Sequence, residues 1–285
     1  MKSAIIHNIE KFSIQKRFPD GSLYSSISIE HILNISRVLH VSGRDIEITA
    51  LEENIIPEHY TRNMKTFSPK DQSTLLSSNA SIVGLGGLGG AVTEILARIG
   101  VGTLSLIEPD RFEESNLNRQ LLSTHHRLET SKTQAAIERV REINPTIVVK
   151  AHDEFLGSEN AETLIKGSDV VIDCLDNITT RFLLETAAKK VGAPLVSAAV
   201  AGICGHVTSI FPKDKGLALV YGNSNNLSPK GVEVSLGCLP HAVMLLAALE
   251  SSEVVKILLK KGPVLRNKLG VIDLMDNIFE VLDLI

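Results

Sequence analysis

From residue 80 onward, short apolar runs alternate with stretches of helical periodicity. The apolar runs are ASIVGLG, TLSLIEPD, TIVVKAHD, DVVIDCLD and APLVSAAV. Apolar, β-branched runs separated by amphipathic stretches are typical of parallel strands that are covered by helices. The pattern predicts an α/β fold with a Rossmann-like, doubly wound, mostly parallel sheet. The clearest helix is at 131–143, after a Thr-Ser cap signal and before Asn144-Pro145.

The last third of the chain has a different pattern. HVTSIFP predicts a strand, and GVIDLMDN with IFEVLDL predicts a terminal hairpin, which gives the sheet a C-terminal antiparallel extension. Between them, HAVMLLAALESSEVVKILLKKG is apolar around most of its circumference in its first half. Such a helix is buried on several sides, either inside the fold or against a second subunit.

Residues 1–55 form a separate pattern. KFSIQKRF and SLYSSISI are alternating runs joined across the turn signal PDG, which predicts a β-hairpin. HILNISRVLHV then predicts a helix that ends near Ser42-Gly43. We therefore expect a small N-terminal α+β appendage at 1–55 and a main domain at 56–285. We hypothesise that the appendage contacts a partner protein or extends a dimer interface.

Composition narrows the classes of partner. The 285 residues carry a formal net charge of −4, with no Lys/Arg run longer than two, so we expect no nucleic-acid partner. No stretch reaches about 18 consecutive apolar residues, so we expect no membrane span and a cytoplasmic location. Cys174, Cys204 and Cys238 form no CxxC pair, which indicates reduced thiols.

A glycine-rich motif follows the first of these strands. Gly84, Gly86 and Gly89 have the spacing GxGxxG between a predicted strand and a predicted helix. Glycines there allow a tight turn and close approach of phosphates to a helix N-terminus. Glu108 ends the next strand, where it can accept hydrogen bonds from ribose hydroxyls. These residues predict a nucleotide site but do not distinguish NAD from ATP.

The following residues favour a triphosphate. RFEESNLNRQLL contains Asn116, Arg119 and Gln120, and Lys132 begins the next helix. If a carboxylate attacks the α-phosphorus and pyrophosphate leaves, fixed cations stabilise the charge that develops. Asp176 follows an apolar strand and can bind magnesium. Taken singly, Arg119 or Lys132 would be read as a solvated surface charge, and Asp176-Asn177 would be read as a helix cap. The prediction of a triphosphate site depends on all of them occurring together in this order.

The order of these motifs along the chain is similar to that in a known family. The motifs are GLGGLGG, Glu108 with Asp110, SNLNRQ, Lys132, INP at 143–145 and DCLDN at 173–177. From about Glu58 to the C-terminus it resembles the adenylating domain of the ThiF/MoeB/HesA group, relatives of ubiquitin-activating enzymes. The resemblance implies ATP with Mg²⁺ and adenylation of the C-terminal glycine carboxylate of a small ubiquitin-like sulfur-carrier protein, with release of pyrophosphate.

The resemblance also implies roles for individual residues. The nucleotide site would comprise Gly84, Gly86, Gly87, Gly89, Glu108, Asp110, Asn116, Gln120, Lys132, Leu175 and Asn177. The catalytic residues would be Arg62, Arg119, Lys132 and Asp176, with Asp176 as the magnesium ligand. Glu108 stands where the family more often has Asp. Arg62, in HYTRNM, resembles an arginine that is donated across a homodimer, so the resemblance implies a homodimer.

The chain departs from the family pattern in its cysteines. ALVYGN stands where the first zinc-binding CxxC pair would be expected, and the C-terminus has no second pair, so we predict no zinc. The candidate crossover loop YGNSNNLSPKGVEVSLG contains no cysteine, which favours adenylation without covalent transfer. The carrier and its pathway, in thiamine or pterin-cofactor biosynthesis or elsewhere, stay open.

Three alternatives also stay open. The substrate could be another carboxylate, on a peptide or linked to tRNA. The chain could be a non-catalytic nucleotide-binding scaffold subunit. An NAD-dependent oxidoreductase would leave Arg119 and Lys132 without a function.

Overall fold

The structure is a computed structural model that describes residues 1–222, 231 and 233–285. Most of the candidate crossover loop, at 223–230 and 232, lies outside the described residues. Among the described residues, no helix is long and apolar enough to cross a membrane.

The N-terminal appendage contains three helices and three strands where the sequence analysis predicts a hairpin and one helix. In chain order they are α1 (Lys2–Phe12), β1 (Ile14–Arg17), β2 (Leu23–Ile27), α2 (Ile29–Leu39), α3 (Gly43–Glu52) and β3 (Ile55–Pro57). The hairpin β1–β2 is antiparallel, and β3 pairs with β2 in parallel. Helix α3 begins directly after Ser42, whose side chain caps it by accepting from the Asp45 N–H.

A 3₁₀ turn (Glu58–Asn63) and α4 (Pro69–Ser77) lead into the main sheet. Its strands are β4 (Asn79–Val83), β5 (Thr103–Ile107), β6 (Val148–His152), β7 (Val170–Asp173), β8 (Leu195–Ala201), β9 (Cys204–Ile210), β10 (Lys268–Asp273) and β11 (Ile278–Asp283). Their spatial order is β11-β10-β9-β8-β7-β4-β5-β6. Strands β4 to β8 are parallel and β9 to β11 antiparallel, which confirms the predicted fold class and terminal hairpin.

Helices cover both faces of this sheet. They are α5 (Gly87–Ile99), α6 (Lys132–Ile143), α7 (Ala161–Leu164), α8 (Ile178–Val191), α9 (Ala218–Tyr221), α10 (Glu233–Leu236) and α11 (Pro240–Leu259). One core lies under α5, α6 and α11, and a second lies under α7 and α8. The apolar helix α11 is buried inside the fold, where it packs on α5, β8 and β9. The strand order reverses at β4, and open α/β sheets bind ligands at such a point.

The appendage packs directly against the main domain. The Arg44 guanidinium on α3 donates to the Thr103 hydroxyl at 2.8 Å, at the start of β5. Also on α3, the fully buried Glu47 accepts a hydrogen bond from Thr146 at 2.9 Å. Contacts of this kind make the appendage part of the folded unit, so point substitutions test it better than deletion does.

Candidate functional site

A cavity of about 1110 Å³ opens at the carboxyl ends of β4, β5 and β7 and continues over β8, β9 and β10. It is larger than the roughly 300–1,000 Å³ that is usual for small-molecule sites. The cavity therefore has room for a nucleotide at the strand ends and for a second group beside it.

The glycine motif forms one wall of this cavity. Gly86 is the N-cap of α5, and no side chain caps that helix, so the first-turn N–H groups are available to an anion. Gly84 has φ +90°, and a Cβ there would lie 2.7 Å from the Cys174 carbonyl oxygen. A Cβ on Gly89 would lie 1.7 Å from the Gly84 carbonyl oxygen. Gly89 is thus required for close packing of the turn, whereas Gly84, Gly86 and Gly87 line the cavity.

Two carboxylates and a lysine stand beside the glycine turn. Glu108 accepts from the Leu85 N–H at 2.8 Å and the Asp110 N–H at 3.0 Å, which fixes its carboxylate against the turn. Lys132, the first residue of α6, places Nζ 3.2 Å from Asp110 and 3.9 Å from Glu108. Its side chain is only 7% exposed, yet it lines the cavity. This is a cation held in position rather than a solvated surface charge.

The segment after β5 brings polar side chains to the same cavity. Arg119 and Gln120 both line it, and Gln120 Oε1 is buried without a hydrogen-bond partner among the described residues. Arg119 Nη1 is held by the Ser115 carbonyl oxygen at 3.1 Å and by Asn118 Oδ1 at 2.9 Å. Asn116 does not line the cavity, and its Oδ1 accepts from the Glu113 N–H, which fixes the local 3₁₀ turn.

The end of β7 supplies the remaining predicted residues. Leu175, Asp176 and Asn177 all line the cavity. Asn177 also caps α8, because its Oδ1 accepts from the Thr180 N–H at 3.1 Å. Asp176 is exposed, and its carboxylate has no hydrogen bond or ion pair within the described part of the chain. Its oxygens are therefore available to a ligand.

A buried ion pair that the sequence analysis does not identify supports this loop. Asp173 is fully buried, and Arg181 Nη1 lies 2.9 Å from its Oδ2. Arg181 also donates to the carbonyl oxygens of Leu175 and Ala198, and Ser197 donates to Asp173 at 2.7 Å. Burial opposes the charge of Arg181, but Asp173 raises the pKa of the guanidinium. Arg181 would be apparent in the sequence only as a polar residue on the buried face of α8.

The three cysteines differ in environment. Cys174 is buried, and its thiol donates to Glu250 Oε2 at 3.5 Å. Burial, together with the nearby Glu250 carboxyl, raises the pKa of Cys174 well above its ordinary value, so this thiol is protonated at neutral pH. Cys204 and Cys238 are partly exposed and line the cavity. A hydrogen bond with Asp273 raises the pKa of Cys204.

Arg62 lies apart from the other predicted catalytic residues. It is exposed in the 3₁₀ turn Glu58–Asn63 and does not line the cavity of its own chain. The structure thus brings together Gly84, Gly86, Gly87, Glu108, Asp110, Arg119, Gln120, Lys132, Leu175, Asp176 and Asn177, while Arg62, Gly89 and Asn116 lie outside the lining.

The residues present fit a nucleoside triphosphate. An uncapped helix N-terminus and the lysine and arginine beside it point to an anionic ligand, and Gln120 Oε1, which has no partner among the described residues, can accept from a hydroxyl or amino group of that ligand. No cluster of three or more His, Cys, Asp or Glu side chains suited to a metal ion occurs among the described residues. Asp176 alone fits magnesium only together with phosphate oxygens, which is how this ion is usually held.

Sequence comparison assigns this nucleotide-binding α/β protein to a family. Residues 60–284 match the ThiF family. The SAMP-activating enzyme E1 of Haloferax volcanii is 33% identical over 231 residues, which cover 78% of this chain and 83% of that protein. Adenylyltransferase and sulfurtransferase MOCS3 of Drosophila yakuba is 31% identical over 272 residues; the match covers 91% of this chain but 57% of that longer protein.

Solved structures with low sequence identity share the fold. E. coli MccB, solved with MccA-N7isoASN, has a TM-score of 0.71 at 19% identity, covering 90% of this chain and 79% of that chain. PaaA has a TM-score of 0.67 at 20% identity, and the match covers 80% of this chain and 82% of that chain. The chain belongs to the ThiF family and is an adenylyltransferase of the E1-like class, which confirms the resemblance.

Proposed function

We propose that this protein uses ATP to adenylate the C-terminal glycine carboxylate of a small ubiquitin-like sulfur-carrier protein. The relatives named above as an E1 and as adenylyltransferases support this substrate class. The observation that carries the proposal is the convergence of the uncapped α5 N-terminus, Lys132 and Arg119 on one cavity, which is also lined by Asp176, a carboxylate without a partner among the described residues.

ATP binding would use the strand-end part of the cavity. The free N–H groups at the start of α5 would hold phosphate oxygens, and Glu108 would accept hydrogen bonds from the ribose hydroxyls. Lys132 and Arg119 would compensate the phosphate charge. Lys132 lines the cavity, where Asp110 and Glu108 hold its Nζ.

In the chemical step, a carboxylate oxygen of the carrier attacks the α-phosphorus. The bond from that phosphorus to the bridging oxygen breaks, and pyrophosphate leaves with the bonding electron pair. The carboxylate is already ionised at neutral pH, so no general base is required. Lys132 and Arg119 accelerate the step because the charge that they face increases in the transition state.

Asp176 would hold Mg²⁺ together with phosphate oxygens. The ion, when bound, would neutralise phosphate charge and orient the phosphate chain. Arg62 would add a cation from a second subunit, so the proposed enzyme is a homodimer. Its proposed location is the cytoplasm. The expected absence of zinc remains part of this proposal, as does a place for the carrier in cofactor biosynthesis.

The test is ATP–pyrophosphate exchange by the purified protein with small ubiquitin-like proteins that end in Gly-Gly. We expect carrier-dependent exchange that is lost in Asp176→Ala and in Arg62→Ala and retained in Asp153→Ala, a matched control at an exposed aspartate after β6. A carrier lacking its terminal Gly-Gly should support no exchange. ATP binding without exchange for any carrier would overturn the proposed substrate and favour another carboxylate or a scaffold function.

A further inference from the structure

The cavity extends beyond its nucleotide end onto an open face of the sheet. Ala199 on β8, His206 on β9 and Val271 on β10 all line this part. They are register partners, since His206 pairs with Ala199 on one side and with Val271 on the other. Opposite residues of antiparallel strands place their side chains on the same face. These three residues therefore form one continuous floor, while α11 packs on these strands from the other face.

His206 is a polar group in this floor that the proposed chemistry does not use. Its Nε2 lies 3.2 Å from the Tyr221 hydroxyl at the end of α9. Its Nδ1 makes no hydrogen bond within the residues that the structure describes, so it is available to a group in the cavity. Burial and the nearby positive charge of Arg181 lower the pKa of His206 to about 4, so the ring is neutral at physiological pH.

A neutral imidazole suits this position. Arg181 is fully engaged by Asp173, Ser197 and backbone carbonyls. A further cation on the floor, next to Arg181, would pair with the reacting carboxylate and make it a weaker nucleophile. A neutral ring can instead hydrogen-bond an N–H or C=O group without competing for the carboxylate.

An extended polypeptide tail needs a neutral hydrogen-bonding partner of this kind. Its backbone N–H and C=O groups lose water on entering a partly apolar groove, and each group left without a partner costs free energy. On β8 the floor beside His206 includes the small side chains of Ala199 and Ala201, which allow a backbone to approach closely. The groove is continuous with the nucleotide end, so a tail that lies on it can bring its terminal carboxylate to the α-phosphorus.

We propose that His206 hydrogen-bonds the C-terminal tail of the polypeptide whose carboxylate is adenylated, and that Tyr221 is a positioning residue that orients the ring. This inference rests on the proposed function, because it assigns the tail to the same cavity. The hydrogen bond at Nε2 determines which ring nitrogen carries the proton. When the Tyr221 hydroxyl donates to Nε2, Nδ1 carries the proton and donates to a carbonyl of the tail; when the hydroxyl accepts from Nε2, Nδ1 accepts from an amide of the tail.

The test separates binding of the tail from binding of ATP. In His206→Leu we expect the KM for the carrier to rise about 3- to 10-fold, the loss of one neutral hydrogen bond, with the KM for ATP and kcat unchanged. His206→Gln should recover part of the loss, since its amide keeps a donor and an acceptor. His7→Leu, the same substitution at an exposed site on α1, is the control. Equal thermal unfolding of the variants establishes that they are folded.

The positioning residue has its own readout. Tyr221→Phe should raise the KM for the carrier by less than His206→Leu does. The double variant should be no worse than His206→Leu alone, because in this proposal Tyr221 acts on the tail through the ring. The wild-type KM for the carrier should stay constant between pH 6 and 8, because the ring is neutral throughout this range.

The outcomes distinguish failure of this inference from failure of the proposed function on which it rests. If the wild-type enzyme shows no exchange with any Gly-Gly carrier, the proposed function fails. If it shows exchange and His206→Leu leaves the KM for the carrier unchanged, the function stands and the inference about His206 is overturned. A rise in the KM for ATP instead would place His206 at the nucleotide end, which also overturns it.

Discussion

At the scale of single residues, the site is organised by which charges have partners and which do not. Lys132 is nearly buried between two carboxylates, whereas Asp176 is exposed and unpartnered within the described chain. A cation held by fixed neighbours loses little orientation when a phosphate arrives, which is the condition for electrostatic catalysis. An aspartate without a partner can bind a metal ion without first breaking an ion pair.

The first prediction at this scale concerns Lys132. We expect Lys132→Ala to lower kcat for ATP–pyrophosphate exchange by about 10²–10³-fold, the usual effect of removing one preorganised charge at a transition state. Lys150→Ala, at an exposed lysine on β6, is the control and should leave exchange unchanged. Equal exchange by Lys132→Ala and the wild-type enzyme would remove Lys132 from the mechanism.

The second prediction concerns Arg181. Arg181→Leu leaves the Asp173 carboxylate buried and unpaired, so we expect a loss of about 3–5 kcal/mol in the free energy of unfolding. Urea denaturation measures this change. Lys190→Ala on the same helix removes an exposed pair with Glu162 and should have little effect. Comparable midpoints for the two variants would contradict the importance of the Asp173–Arg181 pair.

At the scale of elements, the appendage holds the turn that carries Arg62. The turn begins directly after β3, and its Glu58 contacts Lys16 at 2.8 Å and also Ser26. Glu47 on α3 reaches His59 at 3.1 Å. From the main domain, Asn144 donates to the buried Tyr60 hydroxyl at 2.6 Å. The turn is therefore fixed from both sides, and the appendage helps to set the position of Arg62.

We predict that Glu47→Ala destabilises the protein by about 1–3 kcal/mol, because it leaves Thr146 and His59 without their buried partner. Exchange activity should fall as well, although Glu47 does not line the cavity, because the turn loses an anchor. Glu52→Ala, which removes an exposed pair with Lys2 at the end of the same helix, should change neither property. Calorimetry and exchange assays on the same preparations decide the matter; a folded, fully active Glu47→Ala would show that the turn needs no anchor from α3.

The elements also show how much of the fold and of the site can be predicted from the sequence alone. The helix α6 is predictable at both ends, because Ser131 caps it and Asn144-Pro145 ends it. Helix α3 is not predicted, since the sequence indicates that a helix ends near Ser42-Gly43, whereas Ser42 in fact caps the next helix. The glycine turn and Lys132 are local motifs and can be found in the sequence. The floor around His206 depends on strand register between residues distant along the chain, so no local pattern predicts it.

At the scale of the whole molecule, the position of Arg62 indicates a role for subunit association. All eleven predicted residues that line the cavity come from one chain, whereas Arg62 is exposed and does not line the cavity of its own chain. In a two-fold symmetric dimer each chain would supply Arg62 to the partner's site. Each active site would then depend on two chains.

This arrangement predicts complementation between inactive variants. Mixing Arg62→Ala with Lys132→Ala under conditions that exchange subunits should restore about a quarter of wild-type activity, since about half of the dimers are mixed and each has one intact site. Mixing Lys132→Ala with Asp176→Ala is the control, because both residues line the same chain's cavity and no mixed dimer has an intact site. Recovery in the first mixture alone would establish that Arg62 acts across the interface. Mixed dimers that form without recovered activity would instead show that Arg62 acts within its own chain or not at all.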